Sequence, residues 1–334
     1  MKYIFLVLVF FVLYVLFKPA YTKKIKGENS ISEYRKIKIN GEDIQMLIRG
    51  YDRNNPVLVF VHGGPCCSEI PYIVKYQSEW EKLFTVVHYD QRGSGRSMDL
   101  KQDYNYVRST HHVEDLHALT KYICKYLGKD KVLLAGHSYG TYIATQAVAQ
   151  KPELYSAYIG IGQLSDSIES ELDNLYLCID AAKEAKNEKD VNALLSLEEG
   201  IKNGGITPRS YVRKYGFATR KINETTDLLQ GLFFGREYTG INILNVFGCL
   251  KYQLPLWQEL IEHPLPSLVK KIDIPFYFVM GKYDGMTSPK AARKYFDTIE
   301  ASKGKEYVVF DNSAHYPQLD EIEKFTQWLK KTFK

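Results

Sequence analysis

Cysteine is scarce in this chain and forms no framework: five residues in 334, at positions 66, 67, 124, 178 and 249, an odd number with no recurring spacing. Vicinal Cys66 and Cys67 rarely bond to each other, so the pattern argues against a disulfide-stapled secreted scaffold and for small, semi-buried free thiols. No CxxC or HxxxH spacing accompanies them, which removes the metal-site reading. Blocks of like charge are missing too. The net charge is +5, and Lys and Glu alternate along most of the chain apart from Lys23, Lys24 and Lys26, so the electrostatic footprint of a nucleic-acid binder is absent. Neither a P-loop nor a dinucleotide fingerprint occurs; "DQRGSGRS" lacks the GxxxxGK[ST] order. No cofactor and no metal are expected. Internal repeats and low-complexity tracts are lacking as well. With 45% hydrophobic and 25% charged residues, the chain has the apolar material for a core and no reason to be disordered.

Long apolar runs are absent with one exception, "MKYIFLVLVFFVLYVLFKPAYTKK" at the start. The run from Tyr3 to Phe17, bounded by Lys2 and Lys18, reads as a membrane segment. At 1.5 Å per residue it reaches roughly 22 Å against a bilayer core of about 30 Å, and snorkelling lysines with the Pro19 to Tyr21 stretch would extend it. A cleavable signal peptide is the competing reading, but no A-x-A-like site follows. The expectation is an N-terminal transmembrane helix over 1–21 and a linker over 22–34. More lysines follow the run than precede it, which favours a catalytic domain on the cytoplasmic face.

Beyond the linker, "YRKIKING" and "EDIQMLIRGY" predict a hairpin turning at Asn40-Gly41. "PVLVFVHGG", "FTVVHYDQRG", "KVLLAGHSYG", "YSAYIGIGQ", "PFYFVMGKYD" and "EYVVFDNSAH" are then apolar, β-branched or aromatic runs, mostly separated by helical stretches. Runs of that kind fit strands buried on both faces. The prediction is an α/β fold with a mostly parallel, eight-stranded, doubly wound sheet. Between about Leu164 and Pro266 the strand signal gives way to helical periodicity, predicting a helical cap over 164–266 inserted between core segments 35–163 and 267–334.

Gly136-His137-Ser138-Tyr139-Gly140 follows a predicted buried strand and opens a predicted helix, the context of a G-x-S-x-G nucleophile elbow. There the serine takes a strained backbone, and side chains at the flanking glycines would collide with the neighbouring strand and helix. A serine hydroxyl needs a base and a group to orient that base. In this architecture the chain order is Ser, then Asp or Glu, then His, each at a strand end, and Asp284 and His315 occupy those positions. Backbone N–H groups of Tyr139 and of Gly64 in "VHGGPCC" would form the oxyanion hole. His111, His112 and His117 are expected to be helix-surface histidines without a ligand partner.

Together "HGGP", "YDQRGSGRS", "GHSYG", "GKYD" and "NSAHYP" resemble the α/β-hydrolase superfamily. Within it, "HGGP" followed by "DQRGSGRS" is most similar to the proline iminopeptidase family of serine peptidases. The resemblance covers residue 35 to the end, with a weak match in the cap. It implies a Ser138-Asp284-His315 triad, a Gly64/Tyr139 oxyanion hole, a cap that admits small substrates, and a structural Asp90–Arg92 ion pair. Two departures stand out: Cys66 where the family usually has a further glycine, and "GHSYG" where it has Gly-Gly-Ser-Trp-Gly. The expected activity is release of N-terminal proline or another small residue from a short peptide through an acyl-enzyme. The alternatives are a carboxylesterase or lipase-like enzyme, a reading that the "GHSYG" form supports, and a non-catalytic ligand-binding protein. Relatives of this kind hold the substrate amine with cap glutamates; Glu169, Glu171, Glu198, Glu199 and Glu237 are available here, each also explained by a solvated helix face.

Overall fold

The computed structural model of the chain describes residues 2–334. Strands β1 (Ile31–Ile39) and β2 (Glu42–Gly50) form the antiparallel hairpin, with Asn40 at φ 48° and Gly41 at φ 87°, as an Asn-Gly turn requires. Six further strands of the main sheet follow: β3 (Val57–Val61), β4 (Thr85–Tyr89), β5 (Val132–His137), β6 (Tyr155–Ile161), β7 (Phe276–Gly281) and β8 (Lys305–Phe310). They assemble with the hairpin into one sheet ordered β1-β2-β4-β3-β5-β6-β7-β8, in which β2 pairs antiparallel with β4 and every later pairing is parallel. All five residues of β3 are buried, the signature of a strand covered on both faces.

The period-2 alternation divides the core into two layers. Val57, Val59 and Val61 pack with Leu116, Leu119 and Ile123 of α2 (Ser109–Leu127) and Ile143, Ala144 and Ala147 of α3 (Tyr139–Gln150). Leu58 and Phe60 face the other way, into a layer with Trp80, Phe325 and Leu329, the last two from the C-terminal helix. Between β6 and β7 the chain leaves the sheet for a run of helices that includes α4 (Ser167–Glu184), α5 (Glu224–Phe234) and α6 (Ile243–Leu250). These form the cap. Its own small core is built on Leu175, Ile179, Leu194 and Val212.

The N-terminal run forms a helix, α1 (Lys2–Phe17), but not the transmembrane helix expected over 1–21. Its 16 residues measure about 24 Å, and no helix among the described residues is long and apolar enough to cross a membrane. The reason lies in Pro19, which disfavours helical geometry at Lys18 and stops the helix one residue earlier. Lys18 does not snorkel outward; its ammonium folds back onto the carbonyl of Gly235 in the cap, and the residue as a whole is 9% exposed.

Two further expectations are corrected. Arg92 does not pair with Asp90 but with Asp115 of α2, its Nε and Nη2 donating to the carboxylate at 2.6 and 2.7 Å. Asp90 instead accepts from the N–H of Arg96 at 2.7 Å and from the hydroxyl of Tyr238 in the cap at 2.5 Å. His112 and His117 are buried rather than on the helix surface, because they lie on the face of α2 that meets the sheet, each within reach of a tyrosine hydroxyl (Tyr139 and Tyr155). Burial, with the nearby Arg92 charge, drives His112 down to about 3, so it stays neutral. Truncating one partner of a buried ion pair strands the other; Arg92→Ala is therefore expected to destabilise the protein by about 3 kcal/mol, read as a fall in the urea midpoint.

Candidate active site

Helix α3 starts directly at the end of β5, and the turn between them has no room for side chains. A Cβ on Gly140 would strike the carbonyl of Val61 in β3, and one on Gly136 would lie 2.7 Å from the Gly140 carbonyl. Ser138 between them is held at φ 54°, ψ −123°, a conformation L-residues rarely adopt. The turn lifts its side chain, half-buried, to the C-terminal edge of the sheet. The loop after β3 lies against it: a Cβ on Gly63 would come 2.9 Å from the Cβ of Ser138. Gly64 follows at φ +121°. The Tyr139 N–H is the first of α3 and has no acceptor within the helix.

Asp284 and His315 come from the loops after β7 and β8, and both are nearly inaccessible. The His315 Nδ1–H donates to Asp284 Oδ2 at 2.9 Å. Asp284 is itself fixed by the N–H groups of Met286 and Thr287 at 2.8 and 2.9 Å and by the Thr287 hydroxyl at 2.8 Å. A carboxylate so fully donated to holds one tautomer of the imidazole, leaving Nε2 as the proton acceptor. Burial is the largest influence on His315 and lowers its pKa below the ordinary histidine value; Asp284 opposes this, while the charges of His137 and Arg209 add to it.

Ser138, Gly64 and His315 line one cavity of about 200 Å³ under the cap. Asp284 stands behind His315. Of the sequence-predicted residues, therefore, the structure brings Asp284 and His315 into hydrogen-bond contact and sets Ser138 and Gly64 on the same cavity, with Tyr139 next to Ser138 in the chain. Among the described residues no hydrogen bond joins the Ser138 hydroxyl to His315. Such bonds are often long until substrate is bound.

A family model described as the alpha/beta hydrolase fold matches residues 56–322. The chain belongs to the α/β-hydrolase fold family. A probable aminopeptidase of Bacillus subtilis, YbaC, is 29% identical over 314 residues, 92% of this hydrolase and 98% of that protein. A proline iminopeptidase of Saccharolobus solfataricus is 26% identical over 85% of each chain. Among solved structures, a proline iminopeptidase-related protein from Thermus thermophilus superposes with a TM-score of 0.59 at 20% identity, over 90% of this chain and 96% of that one. The family likeness read from the motifs is thus shown.

Within the hydrolase, the cap acids singled out in the sequence lie away from the cavity. Glu169 pairs with Lys294, Glu171 with Arg209, Glu198 with Lys202, and Glu199 and Glu237 accept from Asn203 and Thr22. The acids that do line it are Glu224, the first residue of α5, held by Arg213 Nε at 2.7 Å, and Glu69, from the loop beyond Gly64. No sequence signal separates Glu224 from any other acid in a first helical turn. The cap is also stitched to the loops of the site: the Gly285 N–H donates to the Phe217 carbonyl at 2.9 Å, the His315 N–H to the Ala218 carbonyl at 3.0 Å, and Asp320 accepts from the N–H groups of Arg220 and Lys221.

Gly162, at φ 54° just after β6, completes the seat of His315, since a Cβ there would fall 2.8 Å from Cε1 of that ring. Gly162→Ala is therefore expected to push the imidazole out of place and slow acylation of Ser138 by about 100-fold, measured as the rate of labelling by a fluorophosphonate probe.

Proposed function

We propose that the protein is a serine hydrolase that releases N-terminal proline or another small residue from short peptides through an acyl-enzyme. Ser138 Oγ attacks the carbonyl as His315 Nε2 takes its proton, and Asp284 steadies the imidazolium that forms. The N–H groups of Gly64 and Tyr139 receive the charge developing on the carbonyl oxygen. His315 then protonates the departing amine, and water, deprotonated by the same imidazole, releases the acyl group. The observation that carries this reading is the Asp284–His315 hydrogen bond set beside a cavity into which Ser138 projects from a strained elbow.

Choice of substrate rests on the cavity. A volume of about 200 Å³ suits one small residue, and Glu224 on its wall supplies negative charge for a free ammonium group, with Arg213 moderating it. The relatives named as aminopeptidases and proline iminopeptidases support the same choice. A fluorophosphonate probe is expected to label Ser138 in the native chain and not in Ser138→Ala; an unlabelled native chain would point to a non-catalytic binder. Prolyl naphthylamide should be cleaved, and its N-acetyl derivative at least ~10-fold more slowly, since a lost charge-assisted contact is worth about 1.5–3 kcal/mol. Preference for nitrophenyl acyl esters with no amide turnover would replace the peptidase reading with an esterase.

We also propose that α1 attaches the protein to a membrane, with the catalytic body on the cytoplasmic face. The helix is apolar on all sides, and its side chains from Tyr3 to Tyr14 are 37% to 83% exposed. Unpartnered apolar surface on that scale calls for lipid or another apolar cover. Removing residues 1–17 is expected to move the protein from the membrane pellet to the supernatant on cell fractionation; an unchanged distribution would refute the attachment.

A further inference from the structure

One buried ionisable pair at the site has no part in the chemistry described above. His137 precedes the nucleophile and is 1% exposed; Glu69 lies on the loop beyond Gly64 and is 3% exposed. His137 Nδ1 stands 2.6 Å from Glu69 Oε1, and its Nε2 stands 3.0 Å from the main-chain carbonyl of His315. A carbonyl only accepts, so Nε2 carries a hydrogen. The short contact on the other side then holds a second proton, shared between an imidazole nitrogen and a carboxylate.

Both groups lean toward the charged form. Burial by itself would lower the His137 pKa, but the charge and hydrogen bond of Glu69, with the His315 carbonyl, raise it above the ordinary value. Burial would likewise raise Glu69, yet the His137 charge and hydrogen bond leave its pKa below the usual carboxylate range. Burying two ions seldom adds net stability, so the pair is poorly explained as a mere brace. Its position is more informative. Glu69 belongs to the oxyanion-loop segment, His137 to the elbow and His315 to the base loop, and the two contacts join all three.

We propose that Glu69 and His137 are positioning residues: the buried His137 imidazolium, clamped between the Glu69 carboxylate and the main-chain carbonyl of His315, fixes the loop that presents the base and keeps the base neutral. The His137 and His315 rings have centroids 4.8 Å apart. Protonating His315 would set two cations side by side, which is disfavoured. The other groups bearing on this balance are Asp284 and Arg209 at His315, His62, His88 and Asp284 around the Glu69–His137 pair, and the hydroxyls of Tyr72 and Tyr316. Asp284 alone among these carries a negative charge onto His315, and it is already engaged on Nδ1.

The inference rests on the proposed serine chemistry, and the test separates the two. The second-order rate of fluorophosphonate labelling is measured from pH 4.5 to 8. In the native chain the rate should fall on the acid side with a midpoint below pH 6.5, because His315 must be neutral to accept the proton. In His137→Asn, which removes the neighbouring cation, the midpoint should rise by about one pH unit. An acid limb unmoved in that variant overturns the proposal. Glu69→Gln, which leaves His137 without its counter-ion and so neutral, should raise the midpoint in the same direction. Should neither variant fold, the native chain decides by nitrogen-15 NMR of its histidines: a His137 ring carrying both protons up to pH 8 supports the proposal, and one that loses a proton below pH 7 refutes it. No labelling at any pH in the native chain would sink the serine chemistry, while the NMR result would still judge the ion pair.

Discussion

Everything at this site hangs on how closely helix α3 approaches strand β3. Gly140 brings the helix backbone against the Val61 carbonyl, and Gly136 brings the strand end against the first turn of the same helix. With both neighbours fixed, Ser138 has no choice but its left-handed conformation. Strain of that kind costs of order 1–3 kcal/mol and persists only where packing on all sides enforces it. Here the enforcing layer is large: Leu116, Leu119, Ile143 and Ala147 press α2 and α3 onto the middle strands. The core thus supplies the force that holds a hydroxyl above the sheet edge.

Parallel pairing does the rest. Strands β3, β5, β7 and β8 all run the same way, so the loops that leave their C-terminal ends open on one side of the sheet. Residues far apart in the chain, such as Gly64, Ser138, Asp284 and His315, come together without any of them needing a long side chain. Asp284 is tied down by three hydrogen bonds from Met286 and Thr287 of its own loop before it meets His315. Asp284 is therefore set by local turn chemistry, and His315 is set by Asp284, by Gly162 and by the contact of its carbonyl with His137.

What could be read from the sequence follows the same division. Apolar β-branched runs, the Asn40-Gly41 turn and the glycine-flanked serine announce backbone constraints, and such constraints act over a few residues. They carried the eight strands and the order of Ser138, Asp284 and His315. Pairings chosen across the fold left no such trace. Arg92 could have met any nearby acid and selects Asp115; Glu224 enters the cavity while Glu171, equally acidic, turns to Arg209. His112 and His117 belong to the buried stripe of α2, where hydroxyl partners make a neutral imidazole acceptable. The span of α1 was misjudged because the Pro19 to Tyr21 stretch was taken to extend it, whereas Pro19 had already ended the helix.

The seam between cap and core runs through the loops that carry Asp284 and His315. Phe217 and Ala218 offer their carbonyls to Gly285 and His315, and the Arg220 and Lys221 amides lean on Asp320. Prising the cap away along that line breaks the bonds that steady the imidazole's own peptide unit. A closed roof and an aligned His315 are in this respect a single mechanical state, and a lid hinged there cannot swing open with the loops below left undisturbed.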